Sequence, residues 1–352
     1  MPHFYGALLK FIDNLEEGDQ VIRYIFKRLA MAFVTLWAVV TITFLIMHAI
    51  PGDPFAKEGK MPPAVYNNLM KHYNLDKPLI EQYGLYLKNL AQLDLGPSIK
   101  NKSRDVNDYI EDNFPVSLQL GVIALSCASI AGILLGMLAA LKRNKWPDYL
   151  CMIIAIIGIS VPSFIMATFM IQIFAVKLKL LPTSGWDGLP NYILPGIALS
   201  LMPLAYIARM MRSSMIEVMG QDYIKTAKAK GLSMGKVIRR HALRNSLIPV
   251  TTVIGTTLAN LVVGSFIVEK IFRIPGLGKY FIQSISNRDY PVILGTAVFY
   301  STILIFVNFV VDILYVVIDP RIKLSGSQKN KKNKMLLNLQ ALFGRKEQIE
   351  KG

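Results

Sequence analysis

Uncharged apolar stretches and short polar, charged connections alternate along most of the chain. Six apolar runs stand out, at residues 29–50, 116–141, 150–176, 192–208, 247–268 and 292–318. Crossing about 30 Å of hydrocarbon takes roughly 20 apolar residues in a helix, which is about the length of each run. Five runs contain no Lys, Arg, Asp or Glu, and the last contains only Asp312. No residue-by-residue alternation of a barrel strand is visible. Because a segment in lipid must satisfy its own backbone hydrogen bonds, the pattern predicts an all-α membrane protein with six transmembrane helices. The first run reads as a span and not as a cleavable signal: it follows Lys27 and Arg28, exceeds the usual signal core and ends in "HAIPGDP".

Composition agrees, with 53% hydrophobic residues and a mean hydropathy of +0.41. Charge adds direction. The connections 1–28, 142–149, 209–246 and 319–352 together hold 25 basic and 10 acidic residues, against 14 and 12 in 51–115, 177–191 and 269–291. The basic set is therefore expected to be cytoplasmic, with both termini inside. This divides the chain into a cytoplasmic segment 1–28, a first span 29–50, an extracytoplasmic segment 51–115, a core 116–318 and a basic cytoplasmic tail 319–352. Nearly all of the net charge of +16 then belongs to one membrane face, where it meets anionic lipid, and no nucleic-acid module interrupts the spans. Segment 51–115 is too long for a turn and predicts a small helical cap. Cys127 and Cys151 fall inside spans, where burial is expected.

The connection 209–246 runs into "KTAKAKGLSMGKVIRRHALRNSLIP", which places seven Lys or Arg within residues 225–249. It is not a phosphate-binding loop. Only three residues separate Gly231 from Gly235, and Lys236 is followed by Val237 where a hydroxyl is required. Helix formers fill 217–230, Gly231 supplies a left-handed stop, and Ser233 is placed to cap a second helix running to about residue 245. In that second helix Met234, Ile238 and Ala242 share one line, and Lys236, Arg240 and Arg244 another. From these residues alone two readings stand: a lipid anchor, or a docking element for a soluble partner.

The stretch "QDYIKTAKAKGLSMGKVIRRHALRNSLIPV" resembles the cytoplasmic loop of permease subunits of ATP-binding-cassette importers, in the form of the dipeptide/oligopeptide/nickel family. "PGDP" after the first run, "VEKIFRIPGLGKYFIQSISNRDYPVILG" and "VDILYVVIDPRI" resemble further segments of its B-type permeases. The wider importer consensus is Glu-Ala-Ala, three residues, Gly, nine residues, Ile-x-Leu-Pro. Here Lys225, Thr226 and Ala227 occupy the first three positions, and the proline comes late, at Pro249. The resemblance implies the type I importer permease fold in the bacterial cytoplasmic membrane, moving oligopeptides or dipeptides. Nickel or a metal chelate is the alternative cargo. It also implies a coupling loop, 212–246, in which Asp222, Tyr223, Lys225, Thr226, Ala227, Ala229, Lys230, Gly231, Leu232 and Ser233 meet an ATPase. The implied partners are a second homologous permease, two ATPase subunits that carry ATP and Mg, and an extracytoplasmic solute-binding protein. This chain itself would hold no cofactor.

On the outer side, Gly52, Asp53, Pro275, Gly276, Gly278, Arg288, Asp289 and Tyr290 are candidates to order a gate or receive the binding protein. A plain turn-forming role for the Gly and Pro residues is equally open. Asn260, Asn308 and Asp312 are pathway candidates, since polar and ionisable groups inside spans are often functional. Gly132 and Gly136 form a G-x-x-x-G suited to close helix packing, and Pro162, Pro195 and Pro203 are placed to kink spans. The four histidines, at 3, 48, 72 and 241, show no metal-ligand spacing, and no catalytic cluster supports an enzyme. An ion-coupled secondary transporter would need more midplane charge than Asp312 supplies.

Overall fold

The computed structural model describes residues 2–49, 55, 62–262 and 266–318, with side chains for 26–49, 55, 62–261 and 266–312. Among these residues the fold is helical, with no strand. In chain order the helices are α1 (Pro2–Ala49), α2 (Pro63–His72), α3 (Leu79–Ala91), α4 (Val106–Leu141), α5 (Trp146–Ser160), α6 (Ser163–Met170), α7 (Leu189–Met219) and α8 (Asp222–Ala229). They continue with α9 (Met234–Val237), α10 (Leu243–Val262), α11 (Phe266–Ile271), α12 (Leu277–Asn287) and α13 (Tyr290–Ile318). Among the described residues the chain divides into two compact units, one within 2–34 and 312–318 and one within 35–311.

Four of the described helices are long and apolar enough to cross a membrane: Phe26–Ala49 within α1, α4, α7 and Tyr290–Asp312 within α13. The third expected run is broken. Its two pieces, Trp146–Ser160 and Ser163–Lys177, meet at 106° and give a fifth crossing if counted as one span. Pro162 explains the break, because it lacks an N–H donor and, as the N-cap of α6, sits at φ −56° and ψ 140°, outside helical geometry. Pro195 and Pro203, by contrast, lie inside the continuous helix α7. The expected run 247–268 is covered by α10, whose Thr251, Thr252, Thr256, Thr257 and Asn260 dilute its apolar character, and by the start of α11.

Helices α4 and α7 form the spine of the larger unit. A Cβ on Gly196 would lie 2.9 Å from Ile123, one on Gly132 would lie 2.8 Å from Ile207, and one on Gly136 would strike the Ala208 carbonyl and, at 2.7 Å, Met211. Later residues of α4 therefore meet later residues of α7, so the two run parallel, and the G-x-x-x-G is a packing face. Helix α5 runs the other way: Gly158 approaches Leu201, while Asp148 at its start reaches Arg212 further along α7. The spine separates two hubs. At its early end sit the cap helices α2 and α3 with α11 and α12; at its late end sits α8.

The cap predicted for 51–115 is present as α2 and α3. Phe44 and Met47 of α1, Phe55, Ile99, and Tyr290, Ile293 and Leu294 of α13 form its buried core. Thr41 hydrogen-bonds Tyr83 at 2.6 Å, and the Tyr73 hydroxyl donates to the Ser98 carbonyl at 3.0 Å. Cys151 is buried as expected, whereas Cys127 is exposed on α4, because its position faces away from α7.

Candidate functional site

The basic loop is built differently from the expected helix pair. The predicted helix 217–230 is cut at Gly220–Gln221, where α7 ends and α8 begins. Helix α8 closes in the pattern that Gly231 implied. With φ +74°, Gly231 donates to the Lys228 carbonyl at 2.9 Å, and Leu232 donates to the Ala227 carbonyl at 3.3 Å. Ser233 does occupy the next N-cap position, but its side chain makes no capping bond. The second helix is not a separate element. It passes from α9 through a widened turn, Ile238–Ala242, directly into α10.

One face of α8 is fixed and the other is free. Ile224 (0% exposed) and Ala227 (7%) enter a cluster with Ile207, Met211 and Met215 of α7, Ala128 of α4, and Val237, Ala242 and Val250. Asp222, Tyr223, Lys225, Thr226, Ala229, Lys230, Gly231, Leu232 and Ser233 are all exposed. Ala227 thus departs from its expected role, since it faces the core and cannot meet a partner. Tyr223 is tied back by Asn245, which donates to its hydroxyl at 2.8 Å, and Lys225 pairs with Asp222 at 2.8 Å. Sequence reasoning missed the buried pair beneath this hub. Arg212 grips Asp148 through two bonds, Nε to Oδ1 at 2.6 Å and Nη2 to Oδ2 at 2.7 Å, and the Asn144 amide adds a third at 2.9 Å. The guanidinium holds the Asp148 carboxyl below its usual range against the opposing cost of burial. The signal was available: Asp148 is the single acid in the basic connection 142–149.

At the opposite hub the expected gate residues are largely internal. Asp289 (4% exposed) accepts from Ser98 Oγ at 2.5 Å, from the Ile99 amide at 3.1 Å and from the Lys100 amide at 3.3 Å, stitching the segment after α3 to the start of α13. Tyr290 is also buried, with its ring 5.9 Å from that of His48. Neither can be a contact surface for a partner. Pro275 is exposed and Arg288, in the left-handed region at φ +57°, is half-buried, so those two remain accessible. Gly52 and Asp53 lie outside the described residues, as does the tail 319–352.

Gly276 and Gly278 have a reason beyond turn formation. A Cβ on Gly276 would overlap the Glu269 carboxylate and come within 2.6 Å of Ser117 Oγ, and one on Gly278 would lie 2.5 Å from the Phe266 ring and 2.9 Å from Glu269 Oε2. The glycines admit a buried acid. Glu269 is fully buried just beyond the end of the fifth apolar run, and its Oε2 accepts from the Gly278 amide at 3.0 Å. Ser117 Oγ accepts from the Leu277 amide at 3.0 Å. Burial pushes the Glu269 carboxyl up to about 7, against the lowering effect of Ser117 and of the Gly278 and Lys279 amides.

The pathway candidates are not drawn together. Asp312 is paired with Arg28 at 2.7 Å, so its charge has a counter-ion within the chain. Asn260 is exposed and donates to the Thr256 carbonyl on its own helix at 3.2 Å, and Asn308 is half-buried. Among the described residues no three His, Cys, Asp or Glu side chains are grouped to hold a metal ion.

Residues 132–324 match the family described as the binding-protein-dependent transport system inner membrane component, and residues 21–121 match that family's N-terminal region. The chain belongs to this family, and it is a multi-pass permease component of the bacterial cytoplasmic membrane. It is 54% identical over 302 residues to the dipeptide transport system permease protein DppB of Bacillus subtilis, covering 86% of this chain and 98% of that one. It is 44% identical over 305 residues to the oligopeptide transport system permease protein OppB of Haemophilus influenzae, covering 86% and 100%. The fold is similar to that of a chain of the MetNI methionine ABC transporter in an inward-facing conformation, with a TM-score of 0.51 at 19% identity, covering 60% of this chain and 96% of that one.

Proposed function

We propose that this permease subunit carries dipeptides or oligopeptides across the membrane in an ATP-driven importer. The observation that carries the mechanism is the two-faced helix α8. Ile224 and Ala227 lock it to α7 and α10, while Asp222, Lys225 and Thr226 stay exposed. A push on α8 must then move the spine, because close-packed interiors shift as units and do not deform smoothly. The exposed face would seat in an ATPase subunit, with ATP and Mg bound there, and the same contact would be repeated on a second ATPase by a second homologous permease. The Pro275–Arg288 region would face an extracytoplasmic solute-binding protein.

Six spans with cytoplasmic termini fit this reading. The parallel course of α4 and α7, with α5 reversed between them, is what alternating crossings require. The peptide cargo is supported by the names of the relatives, one a dipeptide and one an oligopeptide permease. The test is affinity purification of the chain from its native membrane in mild detergent, followed by mass spectrometry. Two ATPases and a second permease should co-purify, and the purified assembly in liposomes should take up a tritiated dipeptide only with ATP and the binding protein. Uptake by the chain alone, without ATP, would overturn the reading in favour of a secondary transporter.

A further inference from the structure

The Glu269 site is more elaborate than a helix cap needs. A cap requires one exposed acceptor at the first turn. Here the acceptor is fully buried, its Oε2 holds the Gly278 amide, and its Oε1 has no hydrogen-bond partner. The hydroxyl of Tyr300, on α13, is buried without a partner as well and lies within electrostatic reach of Glu269. Buried polar groups are rarely left unpaired, and two orphans in one cluster need a common explanation. A proton on the Glu269 carboxyl supplies one. It removes the charge and turns one carboxyl oxygen into a donor, while Oε2 goes on accepting from the Gly278 amide.

We propose that Glu269 is the positioning residue of α12: a proton on its carboxyl group, in the space shared with Ser117 and Tyr300, keeps the Pro275–Gly278 turn seated on α4, and release of that proton to solvent water unseats α12. Among the described residues no cation faces the carboxyl from any element packed around it. Helix α4 contributes Ser117; α12 contributes backbone amides, with the Lys279 ammonium directed over the Tyr280 ring at 5.5 Å. Helix α13 contributes the phenol of Tyr300, α6 has no charged residue, and the first half of α7 has none either. On its own helix, Lys270 is exposed. Glu269 is therefore unlike Asp148, which has its guanidinium. The two glycines show that the seat is built around this side chain, since any Cβ there would displace it.

The direction with pH follows. The seated carboxyl titrates near 7 and the unseated one near 4.5, so the seated state binds the extra proton. Seating is full below the lower value, weakens by up to about tenfold per pH unit between the two, and levels off above the higher. Because α12 lies beside the exposed Pro275, its release would alter the outer surface; that consequence for transport rests on the permease reading, whereas the seating does not.

The test is hydrogen exchange of the α12 amides in the full chain in lipid nanodiscs, from pH 5 to 7.5, alongside Glu269→Gln. Taking the ratio of the two proteins at each pH cancels the intrinsic pH effect on exchange. Gln keeps an acceptor for Gly278 and cannot ionise. The ratio of wild-type to Glu269→Gln exchange should rise at least tenfold across this range, while amides of α7 change together in both proteins. A ratio constant within twofold would overturn the proposal. Glu269→Ala, which removes the acceptor, should exchange fast at every pH; protection equal to wild type would also overturn it. Seating that titrates while ATP-driven uptake is unaffected would separate this device from the transport reading.

Discussion

Asp148 and Glu269 are buried at opposite ends of the α4–α7 spine, and the two hubs treat them in opposite ways. Asp148 is given a bidentate guanidinium and an amide, and its pKa falls. Glu269 is given backbone amides and a hydroxyl but no cation, and its pKa rises to about 7. The difference is one of function as much as energy. A paired charge is indifferent to pH near neutrality and acts as a fixed strut, suited to a hub that, in the proposed mechanism, would transmit force from α8. An unpaired acid near neutrality can exist in two states. Each arrangement also dictates its own failure when one partner is removed.

The largest effect should come from breaking the strut. Asp148→Ala would leave Arg212 partly buried without its partner, and loss of one member of such a pair costs about 3 kcal/mol. Thermal unfolding of the detergent-solubilised protein should show this, and pairing it with Arg212→Met should recover most of the loss; no recovery would mean the pair is not the source. The wild-type contribution should be flat from pH 5 to 8. A carboxyl whose folded pKa lies below its ordinary 3.8 loses its stabilisation only as pH falls through that folded value.

Next in size is the spine that separates the hubs. Gly136→Leu would drive a side chain into the Ala208 carbonyl and Met211, and overpacking of this kind costs about 2 kcal/mol. Membrane insertion should persist while protease resistance of the folded chain drops. An unchanged protease profile would show that α4 and α7 can separate at low cost, and the two hubs would then not be mechanically joined.

Gly231 tests the helix proposed to receive that force. Open space surrounds it, so a substitution meets no clash there, only a left-handed φ of +74°. Gly231→Val should cost about 1–2 kcal/mol of loop stability and uncouple uptake from ATP hydrolysis in the purified assembly. Gly231→Asn, which tolerates the conformation, should retain most of the coupling. Equal loss in both would place the importance of Gly231 in its lack of a side chain, as a contact, and not in its backbone.

Much of this was legible in the sequence because it rests on local rules. Runs of apolar residues marked the helices, Gly231 marked the end of α8, and Gly132 with Gly136 marked a packing face. What stayed hidden depends on distant residues meeting. Asp148 and Arg212 are 64 positions apart, and Asp289 meets Ser98 across 191. Gly276 and Gly278 read as turn residues because nothing local reveals that a carboxylate occupies the place of their missing side chains. Ala227 was placed on the partner face by the resemblance alone, whereas it packs into the core beside Ile224. The helix after Ser233 was expected to run only to about residue 245, whereas the backbone continues through a widened turn, Ile238–Ala242, into α10.

The smallest expected effect asks whether the strut at the α8 hub extends to its surface. Tyr223 and Asn245 are both exposed, and the bond between them joins α8 to the start of α10. Tyr223→Phe removes only that bond and should cost about 0.5 kcal/mol, because water replaces it on both sides. If the bond serves only to tidy the surface, ATP-driven uptake should track that small loss of stability. If it holds α8 at a fixed angle against an ATPase, uptake per ATP hydrolysed should fall several-fold while the unfolding temperature barely moves. No counterpart exists for Glu269, whose contacts are all internal, so a disproportionate loss of coupling here would assign force transmission to the α8 hub and leave proton-dependent seating to the other.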